Sequence, residues 1–527
     1  MGENQAAPRD PGEFILSATF TLVPDDGSLL SLILTRRELL IQNLRLDPQT
    51  NVMCSHLLAD CVGCHSFRGK DSKDLGGYFT AVFYPLKNGM TGRDYRQRES
   101  WTFRTEFSQD QDENYNLVRS WTEKISQMVE DQGHPISPPR SPRRFLVLLN
   151  PFAGTGKALS QFETHVMPML EEMKVRYTLL VTERRNQAYE LVRDEDLSGW
   201  DVIVVMSGDG LMYEVINGLM ERQDRNVSIK KPLAILPGGS GNALAASLNH
   251  YSGQTQVTGT KLLNNCTFIL CKGRPSPLDL VSLTTSSNRR ILSFLSFSWG
   301  LISDVDVESE KYRFMGSVRF SIGTFVRLTM LRSYGGCLSY LPARSSSVQQ
   351  KGTVDAHLLS APHNSTNNVQ NSHTDKGEAQ ILEDSLLVPL DQPVPSHWTT
   401  VPENQFILIL LLYQSHLGAD LYAAPMVSGL GEGVIQLFYA TSSISRKSLL
   451  KLFLAMEKGT HLEEPIPHFN HVPVTAFRIE PLEATGIMTV DGESIPCCSV
   501  QGQIHRGLGR IINIPNESQP SRVDTSK

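Results

Sequence analysis

Cysteine is scarce. Eight in 527 residues, with Cys497 and Cys498 adjacent, make no disulfide framework and point to a reduced, intracellular protein. Long hydrophobic runs are also lacking: the longest, Phe406 to Tyr413, falls well short of the roughly 20 apolar residues that span a bilayer. No charged-then-apolar leader opens the chain, and Ala6 stands where a myristoylation signal wants Ser or Thr. Excess basic charge is absent as well, and a net charge of −6 gives no reason to expect nucleic acid as a partner. What remains is 40% hydrophobic and 20% charged, enough for a large core, in a chain too long for one core alone.

The richest stretch is Asp201 to Met220. Val202-Ile203-Val204-Val205-Met206 reads as a strand buried on both faces, and Leu211 to Met220 as a helix with apolar residues at helical spacing. Between them Ser207-Gly208-Asp209-Gly210 makes a tight turn at a helix N-terminus, an anion site with a carboxylate at its mouth. An acid beside a phosphate site is unfavourable unless it holds a metal or takes a proton. Two further glycine turns follow predicted strands: Asn150-Pro151-Phe152-Ala153-Gly154-Thr155-Gly156-Lys157 and Pro237-Gly238-Gly239-Ser240-Gly241-Asn242. The first is not a Walker A loop, because no Ser or Thr follows Lys157. Three such turns along one edge of a parallel sheet predict a ligand cleft there.

Around this α/β segment the chain changes character. Residues 13–129 alternate in short strands (Phe14–Val23, Leu29–Leu34, Glu38–Leu44, Tyr78–Tyr84, Trp101–Phe107) and close with a helix over Tyr115–Val129. Strands closed by one amphipathic helix with a central Trp resemble a pleckstrin-homology domain, which implies lipid or partner binding; a plain scaffold fits equally well. Cys61-Val62-Gly63-Cys64-His65 matches a haem-attachment pattern, but export and further ligand pairs are lacking, so no metal or haem is assigned. Residues 130–143, with four prolines, read as a linker, 144–274 as the nucleotide-binding domain and 275–515 as a β-rich domain, with 516–527 as a tail. Inside the last domain, 344–395 reads as a disordered insertion and Ser445 to Lys458 as a helix apolar on nearly all sides. Ser317 to Arg332 carries Arg319, Arg327 and Arg332 with no acid, a basic amphipathic pattern suited to membrane or calmodulin.

Ser207-Gly208-Asp209-Gly210 with Gly239-Ser240-Gly241-Asn242 resembles the diacylglycerol-kinase-type catalytic domain of lipid kinases. Thr182-Glu183-Arg184-Arg185-Asn186, Gly241-Asn242-Ala243-Leu244-Ala245, Asp304-Val305-Asp306-Val307-Glu308-Ser309-Glu310 and Leu454-Ala455-Met456-Glu457-Lys458-Gly459 are similar to sphingosine kinases, over roughly residues 144–515. The N-terminal extension is similar to the long, type-two form; the insertion is shorter and less proline-rich than that form carries. The resemblance implies an α/β, Rossmann-like nucleotide domain and a β-sandwich-like lipid domain, with ATP and Mg²⁺ as cofactors. Asp209 would be the general base on the lipid hydroxyl. Asp306 would pair with the ammonium of a sphingoid base, with Ser296, Phe453, Leu454 and His461 also at the substrate. Nucleotide contacts would come from Asn150, Gly154, Gly156, Thr182, Ser207, Gly208, Gly210, Gly239, Ser240, Gly241, Arg313, Arg319, Asp491, Gly492 and Glu493. Asp491 and Glu493 would hold the metal, while Phe152 replaces a basic residue found there in the short form. Expected partners are a sphingoid-base lipid, a peripheral membrane surface, calmodulin and a second copy of the chain. The expected location is cytoplasmic and peripheral on membranes, with nuclear or organelle pools. The rival readings are a diacylglycerol- or ceramide-type lipid kinase and a membrane adaptor with an inactive kinase module.

Overall fold

The computed structural model describes residues 14–24, 28–44, 52–71, 73–89, 92–131, 143–315, 318–343 and 383–515. The linker expected at 130–143 and the tail at 516–527 lie almost wholly outside the described residues.

The N-terminal region forms a seven-stranded antiparallel sheet closed by the helix Gln111–Asp131. Trp121, 1% exposed, sits at the centre of its core with its ring 5.3 Å from that of Phe20 and 6.2 Å from that of Phe79. All five strands expected here are present, and Val52–Leu57 and Cys61–Arg68 add to them. The haem-like pattern is therefore a strand. Cys61 and Cys64 face the core, where burial pushes the Cys61 thiol up to about 11 and Cys64 well above its usual range. Thiols so held are protonated and poor ligands. Between them, Gly63 lies where a Cβ would come 2.2 Å from the Glu172 carbonyl oxygen, so this strand presses directly on the rest of the molecule. Tyr84 donates to Glu172 (2.9 Å), Lys272 donates to the Cys61 carbonyl (2.9 Å), and the Arg96 guanidinium lies 3.9 Å over the Phe268 ring.

The elements around the cleft are β1 (Arg144–Leu149), β2 (Arg176–Val181), β3 (Val202–Ser207), α1 (Asp209–Met220), β4 (Pro232–Pro237), α2 (Ala243–Tyr251) and α3 (Gly259–Lys272). They continue with β5 (Arg274–Thr285), β6 (Ser296–Gly300), α4 (Leu301–Glu308), α5 (Val318–Thr329), α6 (Arg446–Met456), β7 (Met488–Val490) and β8 (Val500–Asn513). The first four strands are parallel in the order β2-β1-β3-β4, and every residue of β3 is buried, as its unbroken apolar run requires. β8 then pairs with β4 in parallel and with β5 antiparallel, so the parallel sheet runs without a break into the antiparallel strands. A boundary at 274/275 consequently cuts through one hydrogen-bonded sheet of 15 strands rather than between two. The sequence reading missed β8 because Gly502, Gly507 and Gly509 and its polar residues hide any two-residue period.

The expected insertion also ends earlier than its composition suggests. Residues 344–382 lie outside the described residues, but from Glu383 the chain is docked on the sheet. Arg478, 2% exposed, donates to the carbonyls of Val388, Pro389 and Gln392, and Asp384 accepts from Ser282 (2.5 Å) and Arg290 (2.9 Å). Polar composition hid a strap held by its backbone carbonyls.

Candidate active site

The C-terminal ends of β1 to β4 meet at one edge. There glycines from three separate turns touch each other. A Cβ on Gly239 would come 2.4 Å from the Gly208 Cα, and Gly154, at φ +54, would place one 2.8 Å from the Gly238 carbonyl oxygen. Only bare backbone permits this convergence of turns from separate strands. Asn150 accepts from the Phe152 amide at 2.9 Å, Thr182 is buried at the end of β2, and the Ser240 hydroxyl is buried with no partner among the described residues. A buried hydroxyl without a partner is costly unless a ligand satisfies it. Phe152 stands 72% exposed at the rim.

Asp209 opens α1, yet its carboxylate reaches across to α2. Oδ2 accepts from the Ala243 amide (2.9 Å) and Oδ1 from the Leu244 amide (3.1 Å). It thus caps the neighbouring helix, whose N-terminal amides are occupied by this acid. Desolvation pushes its carboxyl above the usual range, and the two amides pull back. Each oxygen keeps lone-pair capacity for a further proton.

The antiparallel half supplies the facing wall. Asp306 lies on the helix α4. Its pKa is raised to about 7, first by desolvation, with Arg319 opposing and Glu310, Glu493 and Asp209 adding to the rise. That mutual influence brings three sequence-distant carboxylates, Asp209, Asp306 and Glu493, to one place. Local contacts agree: a Cβ on Gly210 would meet Glu493 Oε1 at 2.6 Å, and one on Gly492 would meet Asp306 Oδ2 at 3.4 Å. Arg319 donates to the Asp306 carbonyl (3.1 Å), to Ser309 Oγ (3.0 Å) and to the Asp306 carboxylate (3.4 Å). Glu493 pairs with Arg185 across the cleft.

Asp491 sits differently. It is 2% exposed; Oδ1 accepts from Ser293 Oγ and the Leu295 and Ser296 amides, and Oδ2 from the Phe294 amide. Burial raises it to about 7. An acid wrapped in the 293–296 turn holds β6 and β7 in place and does not fit an open metal ligand. Ser296 is buried in this turn, its amide committed to Asp491. Of the other expected substrate residues, Phe453 is partly buried against the main core, and His461 is 2% exposed with both ring nitrogens unpartnered among the described residues. Leu454 is 56% exposed. Arg313 belongs to the short helix Glu310–Met315, and its side chain lies outside the described residues. The arginines of α5 also differ from expectation. Arg319 and Arg327 are buried, and both pair with α4, through Asp306 and Glu308 respectively. The outer face of α5 is therefore apolar, not basic. Among the described residues no cluster of three His, Cys, Asp or Glu is arranged to hold a metal ion.

Comparison with known proteins matches residues 144–283 to the diacylglycerol kinase catalytic domain. Sphingosine kinase 1 of Homo sapiens is 51% identical over 388 residues, 72% of this chain and 93% of that protein. The chain belongs to the sphingosine kinase family. Sphingosine kinase 2 of Homo sapiens is 34% identical over 95% of this chain and 91% of its own length, so this relative, the long type-two form, matches with the N-terminal region included. A solved structure of a putative diacylglycerol kinase from Bacillus anthracis str. Sterne is similar with a TM-score of 0.47 at 17% identity, covering 71% of this chain and 98% of that one.

Proposed function

We propose that the protein transfers the γ-phosphate of ATP to the primary hydroxyl of sphingosine and related sphingoid bases, giving sphingosine 1-phosphate. The observation that carries this reading is the convergence of Asp209, Asp306 and Glu493 beside the glycine turns. Phosphoryl transfer asks for positioning and charge neutralisation more than covalent help. The amides of Gly154, Gly208 and Gly241, with Ser240 Oγ, are suited to phosphate oxygens, and Thr182 and Asn150 to the rest of the nucleotide. Asp209, with its raised affinity for a proton, takes the hydroxyl proton as the oxygen attacks phosphorus, a role worth roughly 10²–10⁴ in rate. Asp306 receives the ammonium, and Arg319 orients it. Mg²⁺ is commonly held by one or two carboxylates with substrate phosphates; Glu493 fits such a ligand and Asp491 does not. Bound there, Mg²⁺ would neutralise charge on the phosphates.

A cationic-lipid reading is favoured over a diacylglycerol or ceramide one by Asp306 itself, because with a neutral head group Arg319 alone offsets a carboxylate crowded by Glu310 and Glu493. The decisive assay is phosphate transfer from labelled ATP to sphingosine, diacylglycerol and ceramide in detergent. Product from sphingosine alone is expected; equal product from diacylglycerol would overturn the assignment. We also read residues 13–129 as a pleckstrin-homology-like unit and the protein as cytoplasmic and peripheral on membranes. Among the described residues no helix is long and apolar enough to cross a membrane. The basis for calmodulin binding is weakened by the inward turn of Arg319 and Arg327.

A further inference from the structure

Asp306 receives a cation only if α4 presents it to the cleft, and α4 is just 8 residues long. Whatever fixes so short a helix on the sheet is therefore part of the site. Arg319 and Arg327 join α4 to α5, but these contacts bind helix to helix, not helix to sheet. Leu301 and Val305 are buried in the main core, a contact without directionality. Directional contacts come from Ser303 and Asp304. Ser303 Oγ lies 2.7 Å from Ser298 Oγ on β6 and 3.1 Å from Thr489 Oγ1 on β7, and all three residues are buried. Asp304, 2% exposed, accepts from the Tyr334 hydroxyl through Oδ2, and its Oδ1 has no partner among the described residues.

Tyr334 opens the strand Tyr334–Pro342, where the chain returns to the sheet after α5. It stands opposite Phe406, while Gly300, the residue before α4, stands opposite Leu408 of the same neighbouring strand. The tyrosine ring is wedged there. A Cβ on Gly486 would come 2.5 Å from one ring edge, and a Cβ on Gly300, at φ +91, 3.0 Å from the other. The Trp299 ring lies 5.8 Å away. Burial and the Asp304 carboxyl raise the Tyr334 hydroxyl above its usual range, so it stays the donor. A ring held this firmly is a fixed post, and its hydroxyl ties the first turn of α4 to the strand that follows α5.

We propose that Asp304 and Tyr334 are positioning residues for the substrate ammonium: their bond sets the rotation of α4 about its axis, and so the place of the Asp306 carboxylate. Successive helical residues are about 100° apart, so Asp304 and Asp306 leave α4 on nearly opposite sides. A side-chain end about 5–6 Å from the axis moves ~1 Å when the helix turns by about 10°. A misplacement of that size costs up to about 10²-fold where geometry is demanding. A buried carboxyl with one hydroxyl partner also costs stability that an apolar side chain of similar size would not. The inference rests on the sphingoid-base reading, which supplies the cation that Asp306 receives.

The test is steady-state kinetics of full-length variants with detergent-dispersed sphingosine and ATP. Tyr334→Phe keeps the wedged ring and deletes the tie. It is expected to raise KM for sphingosine about tenfold, with kcat and KM for ATP held within about twofold. Asp304→Asn keeps an acceptor for the hydroxyl, so its KM for sphingosine should stay within about threefold of the unaltered protein. Asp304→Ala should match Tyr334→Phe; if it does not fold, Tyr334→Phe decides alone. In an Asp306→Asn background, Tyr334→Phe should add less than about twofold to KM, because a tie that acts through Asp306 has nothing left to position. A fall in kcat with KM for sphingosine unchanged overturns the inference and leaves the bond a purely structural one. So does a full added loss in the Asp306→Asn background. Failure of the sphingoid-base reading shows separately, as an Asp306→Asn variant whose KM for sphingosine is unaltered, and it takes the inference with it.

Discussion

Asp209 and Asp306 are the same residue type on opposite walls of one cleft, and they are held in opposite ways. Asp209 is fixed by neutral backbone amides at the start of α2, while Asp306 is fixed by the Arg319 guanidinium and crowded by Glu310 and Glu493. Amides orient a carboxylate without cancelling its charge, leaving a base that desolvation strengthens. A crowd of acids around a single arginine leaves net negative potential, which suits a site that receives a cation. Environment, not identity, divides the two roles.

The sharpest way to break this comparison is to exchange carboxylate for amide at each position. Asp209→Asn is expected to lower kcat by roughly 10²–10⁴. The amide group has one acceptor where the carboxylate used two, so α2 loses part of its cap and thermal stability should drop by about 1 kcal/mol. Turnover retained within tenfold, with that stability loss present, would make Asp209 a structural cap alone. Asp306→Asn should instead act through KM for sphingosine, by about thirtyfold for a loss of ~2 kcal/mol in a partly solvated charge pair. A neutral acceptor lipid should be unaffected. Parallel losses on both lipids would remove Asp306 from cation recognition.

Acidity offers a second division between the two walls. With Asp306 at about 7 in the free protein, its ionised fraction falls as pH drops through 7, because protonation of a raised carboxyl begins there. The affinity for an ammonium head group should then decline about tenfold per pH unit below 7, until the lower pKa of the bound complex is reached. kcat/KM carries this limb in the parent and loses it in Asp306→Asn. A limb that persists unchanged in the variant would belong to another group, with Asp209 next in line, since its carboxyl is also pushed up.

How much of this was readable beforehand follows from what each signal depends on. β3 and its glycine turn were legible because a buried parallel strand writes an unbroken apolar run and a tight turn writes glycine. Asp209 was placed correctly at the turn, but its reach to Ala243 and Leu244 was not readable, since that contact is set by how two helices meet. For the same reason a helical wheel over 317–332 showed a basic face where the folded chain buries Arg319 and Arg327 against the acids of α4. Asp491 and Glu493 looked equivalent two residues apart; the tight turn after β7, with Asp491 and Gly492 both at positive φ, breaks the alternation and sends one into the 293–296 turn and the other to the cleft. β8, which joins the two halves of the sheet, carries glycine and polar residues where strand pattern should be.

The smallest expected effect tests whether the two walls are tied together at their rim. Arg185 comes from the parallel half and Glu493 from the antiparallel half, and their ion pair bridges the cleft. Arg185 is 76% exposed, so the pair contributes under ~1 kcal/mol to stability. Arg185→Ala should leave the melting temperature nearly unchanged. Glu493 gains freedom in that variant, and the Asp306 carboxyl, which Glu493 already pushes upward, keeps its raised pKa. A nucleotide entering between the walls meets Arg185 first as a positive charge at the mouth, so KM for ATP should rise by a few-fold, more at low salt than at high, because exposed charges are screened. KM for sphingosine should stay constant. An equal rise for both substrates would mean that the pair holds the walls in register, and that the cleft works as one rigid unit instead of two independently positioned carboxylates.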